Sequence, residues 1–349
     1  MEGTAKQIGC KCKTDFMKKS LMLVWALFVI CCTGQKQVSM KSIEKPVAAT
    51  FNDEALEHAI SVVVTENMTE KECETGAVYV VETSTGHIKA NVSLRRKGRS
   101  FVPYNDTYAE EQSVMLGGPT YLALLSTGKC SPDDVIDTGN GIYKDLREHN
   151  WRSGGYGAIT LEKALGNRSN VAFAMTKDVV FEGRQEEFDE KMNTYLAGDP
   201  NHAMGILTFY NAVANGGKMV RLMTEGDGVV VLNEQIAAPE HIETLKQGLR
   251  NAVSQGLCRQ AKRDYTDVAA YCRTFMAGKK TRRMEICGYF PADRPLYTIM
   301  VILEKNRLPV SAGVMCAPVM ASTIDILTEV YDLRPTESKT GSPEPADIN

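Results

Sequence analysis

The stretch from residue 76 to residue 93 constrains the fold of this chain most. Two runs rich in β-branched and aromatic residues, Gly76–Glu82 and His87–Ser93, flank a short polar segment, Thr83–Gly86. A glycine-containing turn between two such runs predicts a β-hairpin. Its strands need a partner layer to bury their apolar face, because an isolated two-stranded hairpin is only marginally stable in water.

An amphipathic helix is predicted directly before this hairpin. It runs from Asp53 to about Thr65, with Asn52 as its N-cap and apolar residues recurring on one face. Downstream of the hairpin, further β-rich runs and helical patterns follow one another along the chain. This order of elements predicts an α+β domain.

A second helix is predicted to open within the segment Ser113–Leu125. Gly118 is expected to be a permissive N-cap and Pro119 the first helical residue, because proline is tolerated where the backbone N–H has no helical partner. Three apolar positions are expected to face the core: Leu122, Ala123 and Leu125. The segment therefore reads as the start of a buried helix.

Residues 1–35 are predicted to be a targeting segment. Lys18 and Lys19 precede the uncharged apolar run Leu21–Cys32, which is short for a bilayer-spanning helix and typical of the apolar part of a signal peptide. An uncleaved signal-anchor, a lipoprotein signal ending at the cysteine pair and a cleaved signal all remain open, as does a start at Met17 rather than Met1. In each case the rest of the chain is exported, and an anchored form would face the periplasm.

Three further segments follow. Residues 36–51 are predicted to be a polar linker, residues 52–333 a single domain, and residues 334–349 a disordered tail rich in proline, serine and glutamate.

Composition excludes some classes of function. The formal net charge is −3 and the chain has no basic stripe with interleaved aromatic residues, so nucleic-acid binding is not expected. The ten cysteines are scattered, and neither they nor the five histidines recur at metal-ligand spacing, so no metal site is expected. The cysteines are interpreted as buried or free thiols, with a disulfide between Cys272 and Cys287 as an alternative.

The domain resembles the penicillin-binding transpeptidases from about residue 52 to residue 332. The hairpin carries that family's acidic residue, Thr-Gly and Ile-x-Ala pattern, and later segments match the family in the same order. These segments are Glu82–Ala90, Ser131–Gly141, Asp145–Trp151, Gly155–Leu165, Leu207–Met219 and Cys287–Asp293. The resemblance implies a mainly antiparallel five-stranded sheet flanked by helices, with a helical subdomain at about 104–218. It implies neither a metal nor an organic cofactor.

The family acylates a serine with the D-Ala-D-Ala end of a peptidoglycan stem peptide or with a β-lactam. Its Ser-x-x-Lys motif pairs the nucleophile with a lysine that accepts the serine proton. At the matching positions this chain has Gly118 and Tyr121. The resemblance therefore implies that both the nucleophile and its base are missing.

Two further family motifs are eroded. The family's Ser-x-Asn, which supplies a relay hydroxyl and an amide, corresponds to Arg168-Ser169-Asn170. The family's Lys-Thr-Gly, which binds the substrate carboxylate from the edge strand, corresponds to Lys279-Lys280-Thr281. Lys279 is expected to be either a retained carboxylate ligand or a solvated strand-end lysine, and Asn170 a helix-capping or packing amide. Pairing of Arg168 with a carboxylate, so that it plugs the vacated cleft, is one alternative for that residue.

Literal copies of the motifs elsewhere do not fit their context. Ser126-Thr-Gly-Lys129 stands at a helix end, Lys339-Thr-Gly341 in the tail and Ser42-Ile-Glu-Lys45 in the linker. Ser113 has no lysine three residues later, and no motif supports a triad that uses His149 or His241.

Three hypotheses follow for the function. The first is a degenerate pseudo-transpeptidase of the bacterial envelope, which binds or scaffolds in cell-wall assembly without catalysis. The second is a divergent D-alanyl-D-alanine transpeptidase or carboxypeptidase that binds penicillin, and the third is a decaying duplicate without a specific ligand. Expected partners are a stem peptide or β-lactam held non-covalently, cell-wall assembly proteins, and the membrane through the N-terminal segment.

Overall fold

A six-stranded sheet lies at the centre of the computed structural model, which describes residues 50–104, 115–198, 203–277 and 279–333. In chain order the strands are β1 (Thr75–Glu82), β2 (Ile88–Lys97), β3 (Ser100–Pro103), β4 (Val135–Asp137), β5 (Ile142–Tyr143), β6 (Leu146–Arg147), β7 (Ala158–Thr160), β8 (Met219–Val220), β9 (Val231–Asn233), β10 (Ala269–Met276), β11 (Arg282–Phe290) and β12 (Tyr297–Lys305). The central sheet has the order β10-β11-β12-β1-β2-β3, and each neighbouring pair is antiparallel. The α+β prediction is confirmed, and β3 adds one short strand to the five that were expected.

The predicted hairpin is formed by β1 and β2. Gly86 in its turn has φ +77°, and a Cβ atom there would overlap the carbonyl oxygen of Arg221. Glycine is therefore required twice over at this position, for its left-handed backbone and for its lack of a side chain.

Eight helices complete the described part of the chain. They are α1 (Glu54–Glu70), α2 (Gly117–Leu125), α3 (Leu161–Asn167), α4 (Asn170–Val180), α5 (Gln185–Tyr195), α6 (Ala203–Ala214), α7 (Pro239–Ser254) and α8 (Ala312–Val330). Helices α2 to α6 all fall within the stretch that the sequence assigns to a helical subdomain. Two single 3-10 turns lie at Trp151–Ser153 and Arg259–Ala261.

The first helix starts one residue later than expected. Its N-cap is Asp53 rather than Asn52, and the Asp53 carboxylate accepts hydrogen bonds from the amides of Ala55 and Leu56 at 3.1 Å each. A carboxylate makes the stronger cap here because it also faces the positive end of the helix dipole.

We expect Asp53→Ala to lower the free energy of unfolding by about 1 kcal/mol, because the substitution removes this cap. The hydrogen bond from the Leu56 amide lowers the pKa of Asp53 below its ordinary 3.8, so the stabilisation is present above that pH and is lost as the pH falls further. Urea unfolding at pH 7 and pH 3 checks both statements. A difference between variant and wild type that does not shrink at pH 3 would contradict the assignment of the carboxylate as the cap.

Helices cover both faces of the sheet. Alternate residues of β1 divide between the two layers: Val78 and Val80 belong to the core under α1 and α8, whereas Tyr79 and Val81 belong to the core shared with α2 and α6. A strand buried on both faces reads as a continuous apolar run, which explains the unbroken pattern of β1.

Helix α8 is the one helix among the described residues that is long and apolar enough to cross a bilayer. Its most apolar window is 61% buried, and the helix packs on α1 and on strands β11 and β12. Core packing therefore accounts for its composition. The N-terminal apolar run, the linker up to residue 49 and the tail from residue 334 lie outside the described residues.

The suggested disulfide between Cys272 and Cys287 is wrong. Cys272 lies opposite Ile286 on the neighbouring strand and faces the core with α8, whereas Cys287 lies opposite Tyr271 and faces the core with α2. The two thiols therefore point to opposite faces of the sheet. All cysteines in the described part of the chain are free.

Candidate functional site

Helix α2 begins at Gly117, so Gly118 lies inside the first turn and is not the N-cap. Leu116 occupies the cap position and makes no side-chain capping bond. Pro119 is consequently the third helical residue. Proline is accepted there because none of the first four amides of a helix has a helical partner, so its position does not fix the helix start.

The space beside Gly118 is filled by a tyrosine. A Cβ atom on Gly118 would lie 2.7 Å from the hydroxyl oxygen of Tyr210 and 3.3 Å from the ring of Phe209. At Gly117 a Cβ atom would overlap the hydroxyl of Tyr271. A side chain at either glycine therefore requires a buried aromatic ring to move.

These two tyrosines come from different elements of the fold. Tyr210 is on α6 and Tyr271 on β10; both are fully buried, and their rings stack with centroids 6.5 Å apart. Burial raises the pKa of both phenols above its ordinary value. The neutral aromatic pair thus occupies the region where the family resemblance implies a serine and its substrate.

Tyr121, at the position implied for the base, is also fully buried. Its ring makes an edge contact with Phe173 at a centroid separation of 6.4 Å. Burial raises the pKa of the Tyr121 phenol, so it stays protonated at neutral pH and has no proton-accepting form to offer a nucleophile.

The Ser169 side chain caps a helix and is buried. It is the N-cap of α4, where its hydroxyl oxygen accepts a hydrogen bond from the Ala172 amide at 3.0 Å. The hydroxyl donates to the buried carboxylate of Glu148, which also accepts from the Val171 amide at 3.2 Å. These bonds use the Ser169 hydroxyl in folding.

Arg168 and Asn170 flank this cap and face a cavity. Arg168 ends α3 in the left-handed region, with φ +57°, and Asn170 starts α4. The alternative in which Arg168 pairs with a carboxylate is not met among the described residues, where its guanidinium forms no ion pair. Asn170 instead accepts a hydrogen bond from Arg273 of β10.

The segment Lys279-Lys280-Thr281 does not join this group. It lies in the connection between β10 and β11, both lysines are exposed, and the Thr281 hydroxyl donates to Asn306 at 3.0 Å. The strand beside α2 and α4 is β10, and the residues of β10 nearest the cavity are Tyr271 to Thr274. The alignment of this segment with a motif inside the cleft is therefore wrong, and of the two roles weighed for Lys279 its exposed position fits the solvated strand-end lysine.

The cavity has a volume of about 450 Å³. Its lining is polar and predominantly basic: Arg147, Glu148, His149, Arg168, Asn170, Arg273, Thr274, Val310 and Ser311. Burial, followed by the charge of Arg168, lowers the pKa of His149, so this imidazole is neutral at pH 7. Burial raises the pKa of Glu148, although the bonds from Ser169 and Val171 oppose that rise.

Sequence reasoning missed Arg147 and Arg273 as site residues. Strand alternation carried the signal for Arg273, since residues two apart on a strand share a face and Arg273 follows Tyr271 at that spacing. No comparable signal marks Arg147, whose short strand β6 is set by its pairing with β5.

Comparisons with known proteins bear on the fold. No protein-family model matches the chain, and no curated protein matches it. Among solved structures it is similar to the transpeptidase domain of penicillin-binding protein 3 from Burkholderia pseudomallei, at 15% identity and a TM-score of 0.66, over 82% of this chain and 97% of that one. It is also similar to a peptidoglycan glycosyltransferase from Burkholderia ambifaria, at 17% identity and a TM-score of 0.67, over 82% and 99% of the two chains.

A third similar structure is penicillin-binding protein 3 from Mycobacterium tuberculosis, at 15% identity and a TM-score of 0.66, over 83% of this chain and 80% of that one. The chain therefore has the fold of penicillin-binding transpeptidase domains, as the sequence resemblance implies. At these identities the similarity establishes the fold alone.

Proposed function

We propose that this chain is a penicillin-binding-protein-like protein of the cell envelope, related to peptidoglycan synthesis, that binds or scaffolds without catalysing acyl transfer. One observation carries the proposal: Tyr210 occupies the space that a side chain at Gly118 would need. The fold supports the link to peptidoglycan, and the filled position at the start of α2 supports the loss of catalysis.

Loss of the serine alone removes covalent turnover, because no bond to the acyl group can form. In another serine hydrolase, subtilisin, removal of the nucleophile lowers kcat by about 10⁶-fold. Tyr121, at the position of the family's lysine base, would lower activity further, since its phenol remains protonated at neutral pH.

Ser126 is a poor substitute nucleophile. Its hydroxyl donates to the carbonyl oxygen of Leu122 at 2.6 Å and lies 3.0 Å from the hydroxyl of Tyr195, at the C-terminal end of α2. The other candidates, Ser42, Ser113 and the Lys339 segment, lie outside the described residues. The environment of Ser126 supports a structural role in ending the helix.

The proposed setting is the periplasmic face of the membrane, with the N-terminal segment as anchor. That segment lies outside the described residues. Support for the proposal comes from the sequence alone, from its apolar run and the lysines before it. The proposed ligands are a stem peptide or a β-lactam bound without a covalent bond, and cell-wall assembly proteins are proposed as partners.

We expect the chain to form no covalent adduct with a fluorescent penicillin. The physical reason is the lack of a nucleophilic side chain at Gly118 together with the protonated phenol at Tyr121, one turn later. Incubation of the full chain with the penicillin, followed by intact-mass measurement and gel fluorescence, checks this. An active penicillin-binding enzyme serves as the positive control, and a stable adduct on one serine would overturn the proposal in favour of a divergent transpeptidase or carboxypeptidase.

A further inference from the structure

The cavity beside α4 concentrates positive charge. Arg168 and Arg273 are half-buried in its wall and Arg147 is exposed at its edge. None of the three guanidinium groups forms an ion pair with a carboxylate in the described part of the chain. Clustered like charges repel one another, so this arrangement raises the energy of the protein when no anion is bound.

Arg273 is the best-defined donor of this group. One of its terminal nitrogens donates to the Oδ1 atom of Asn170, a neutral acceptor. Its Nε atom is enclosed and has no hydrogen-bond partner among the described residues. This atom is closed off from the cavity, so a ligand would have to meet the terminal nitrogens, whose planar arrangement matches carboxylate or phosphoryl oxygens.

Arg168 adds a second donor under backbone strain. A residue with φ +57° at the end of a helix is most favourably glycine or asparagine, because a Cβ atom is strained in the left-handed region. This chain has arginine there, and its side chain lines the cavity beside Asn170.

The remaining lining offsets only part of these charges. Glu148 is the one acidic side chain in the lining, and it already accepts bonds from Ser169 and Val171. Burial raises the pKa of Glu148, and the charge of Arg273 opposes that rise. His149 is neutral at pH 7. Helices α4 and α8 both begin at the cavity, at Asn170 and just after Ser311, and their N-terminal ends carry partial positive charge.

We propose that this cavity binds a small ligand through a dianionic group, held by Arg168 and Arg273 with Arg147 at the edge. Three guanidinium charges against one carboxylate leave two positive charges, which a phosphoryl group or a pair of carboxylates would balance. The volume of about 450 Å³ is in the range of small-molecule and short-peptide sites. This proposal rests on the proposed function in one respect: both take the protein to bind a ligand without catalysing acyl transfer.

The test measures binding of defined dianions to the full chain at constant ionic strength. Inorganic phosphate and pyrophosphate probe the phosphoryl class, succinate probes the dicarboxylate class, and acetate and chloride are the monoanion controls. We expect saturable binding by calorimetry and a rise in melting temperature with at least one dianion class. The class of dianion that binds shows whether the ligand carries a phosphoryl group or two carboxylates.

Substitutions then locate the site. Arg273→Gln and Arg168→Gln are each expected to weaken dianion binding by about 10- to 100-fold, since each removes a charged hydrogen-bond donor. Arg259→Gln is the matched control, because Arg259 is exposed on a 3-10 turn and does not line the cavity. Arg168→Gly relaxes the strained backbone, so a loss of binding with an unchanged melting temperature would assign the effect to the missing guanidinium.

Two results overturn the proposal. One is the absence of binding for every dianion to the wild-type chain. The other is binding that Arg168→Gly and Arg273→Gln leave unchanged, or that Arg259→Gln weakens equally. A penicillin adduct with dianion binding intact would overturn the proposed function and not this site, so the two failures are distinguishable.

Discussion

Gly118→Ser is expected to lower the free energy of unfolding by about 1–3 kcal/mol and to leave penicillin unreacted. The new side chain would begin 2.7 Å from the Tyr210 hydroxyl, in a fully buried site where overpacking typically has an effect of this size. Serine is a better helix former than glycine by about 0.5 kcal/mol, which is too little to offset the clash. Because Tyr121 supplies no base, the restored hydroxyl stays a weak nucleophile.

Urea unfolding and intact-mass measurement with a fluorescent penicillin check the two parts separately. Gly166→Ser is the matched control, since Gly166 lies in α3 and a Cβ atom there meets no other atom within 4 Å. The control is expected to be neutral or slightly stabilising. Gly118→Ser combined with Tyr210→Phe should recover part of the lost stability, because the phenylalanine lacks the clashing oxygen. An unchanged stability in Gly118→Ser would contradict the filled site.

Local patterns predicted the hairpin and the class of fold correctly. The turn at Gly86 and the apolar runs on either side depend on interactions within the hairpin and on burial of its two faces, which short-range sequence carries. The continuous apolar pattern of β1 likewise reflects helices on both faces of the sheet. These features need no knowledge of distant residues.

The alignment of the family's Lys-Thr-Gly motif with Lys279-Lys280-Thr281 was wrong because it relied on a short local similarity. Ala277 and Lys279 belong to the turn between two long strands, whereas the strand itself begins at Ala269. The position of that turn is set by the register of β10 against β11, in which Met276 lies opposite Arg282. Register depends on both strands together and cannot be read from one of them alone.

The close packing beside Gly118 could not have been inferred from the sequence near it. Tyr210 is 92 residues away on α6, and Tyr271 lies on the edge strand β10. Only the tertiary arrangement brings both hydroxyls against the start of α2. The glycine at position 118 was visible in the sequence, but the buried rings that fill the space beside it were not.

The buried charges of β11 lead to the second large effect, for Arg283→Met. Arg283 is 1% exposed, and its Nε and Nη2 atoms donate to the Oε1 atom of Glu304 on β12 at 2.9 and 2.8 Å. Glu285, fully buried, lies within 4.0 Å of the same guanidinium. We expect the substitution to lower the free energy of unfolding by about 3–5 kcal/mol, because it leaves a buried carboxylate without its cation.

Neighbouring positions provide the controls that identify this cause. Arg282→Met removes an adjacent arginine that is partly exposed and makes one long contact, 3.4 Å to the Asn306 carbonyl oxygen, so we expect a loss below about 1 kcal/mol. Arg283→Met/Glu304→Gln should lose less than the sum of the two single variants, since a neutral amide no longer needs the cation. Strict additivity in urea unfolding would mean that Arg283 acts through packing of its alkyl chain. Coupling of 1 kcal/mol or more would instead assign the effect to the buried ion pair that ties β11 to β12.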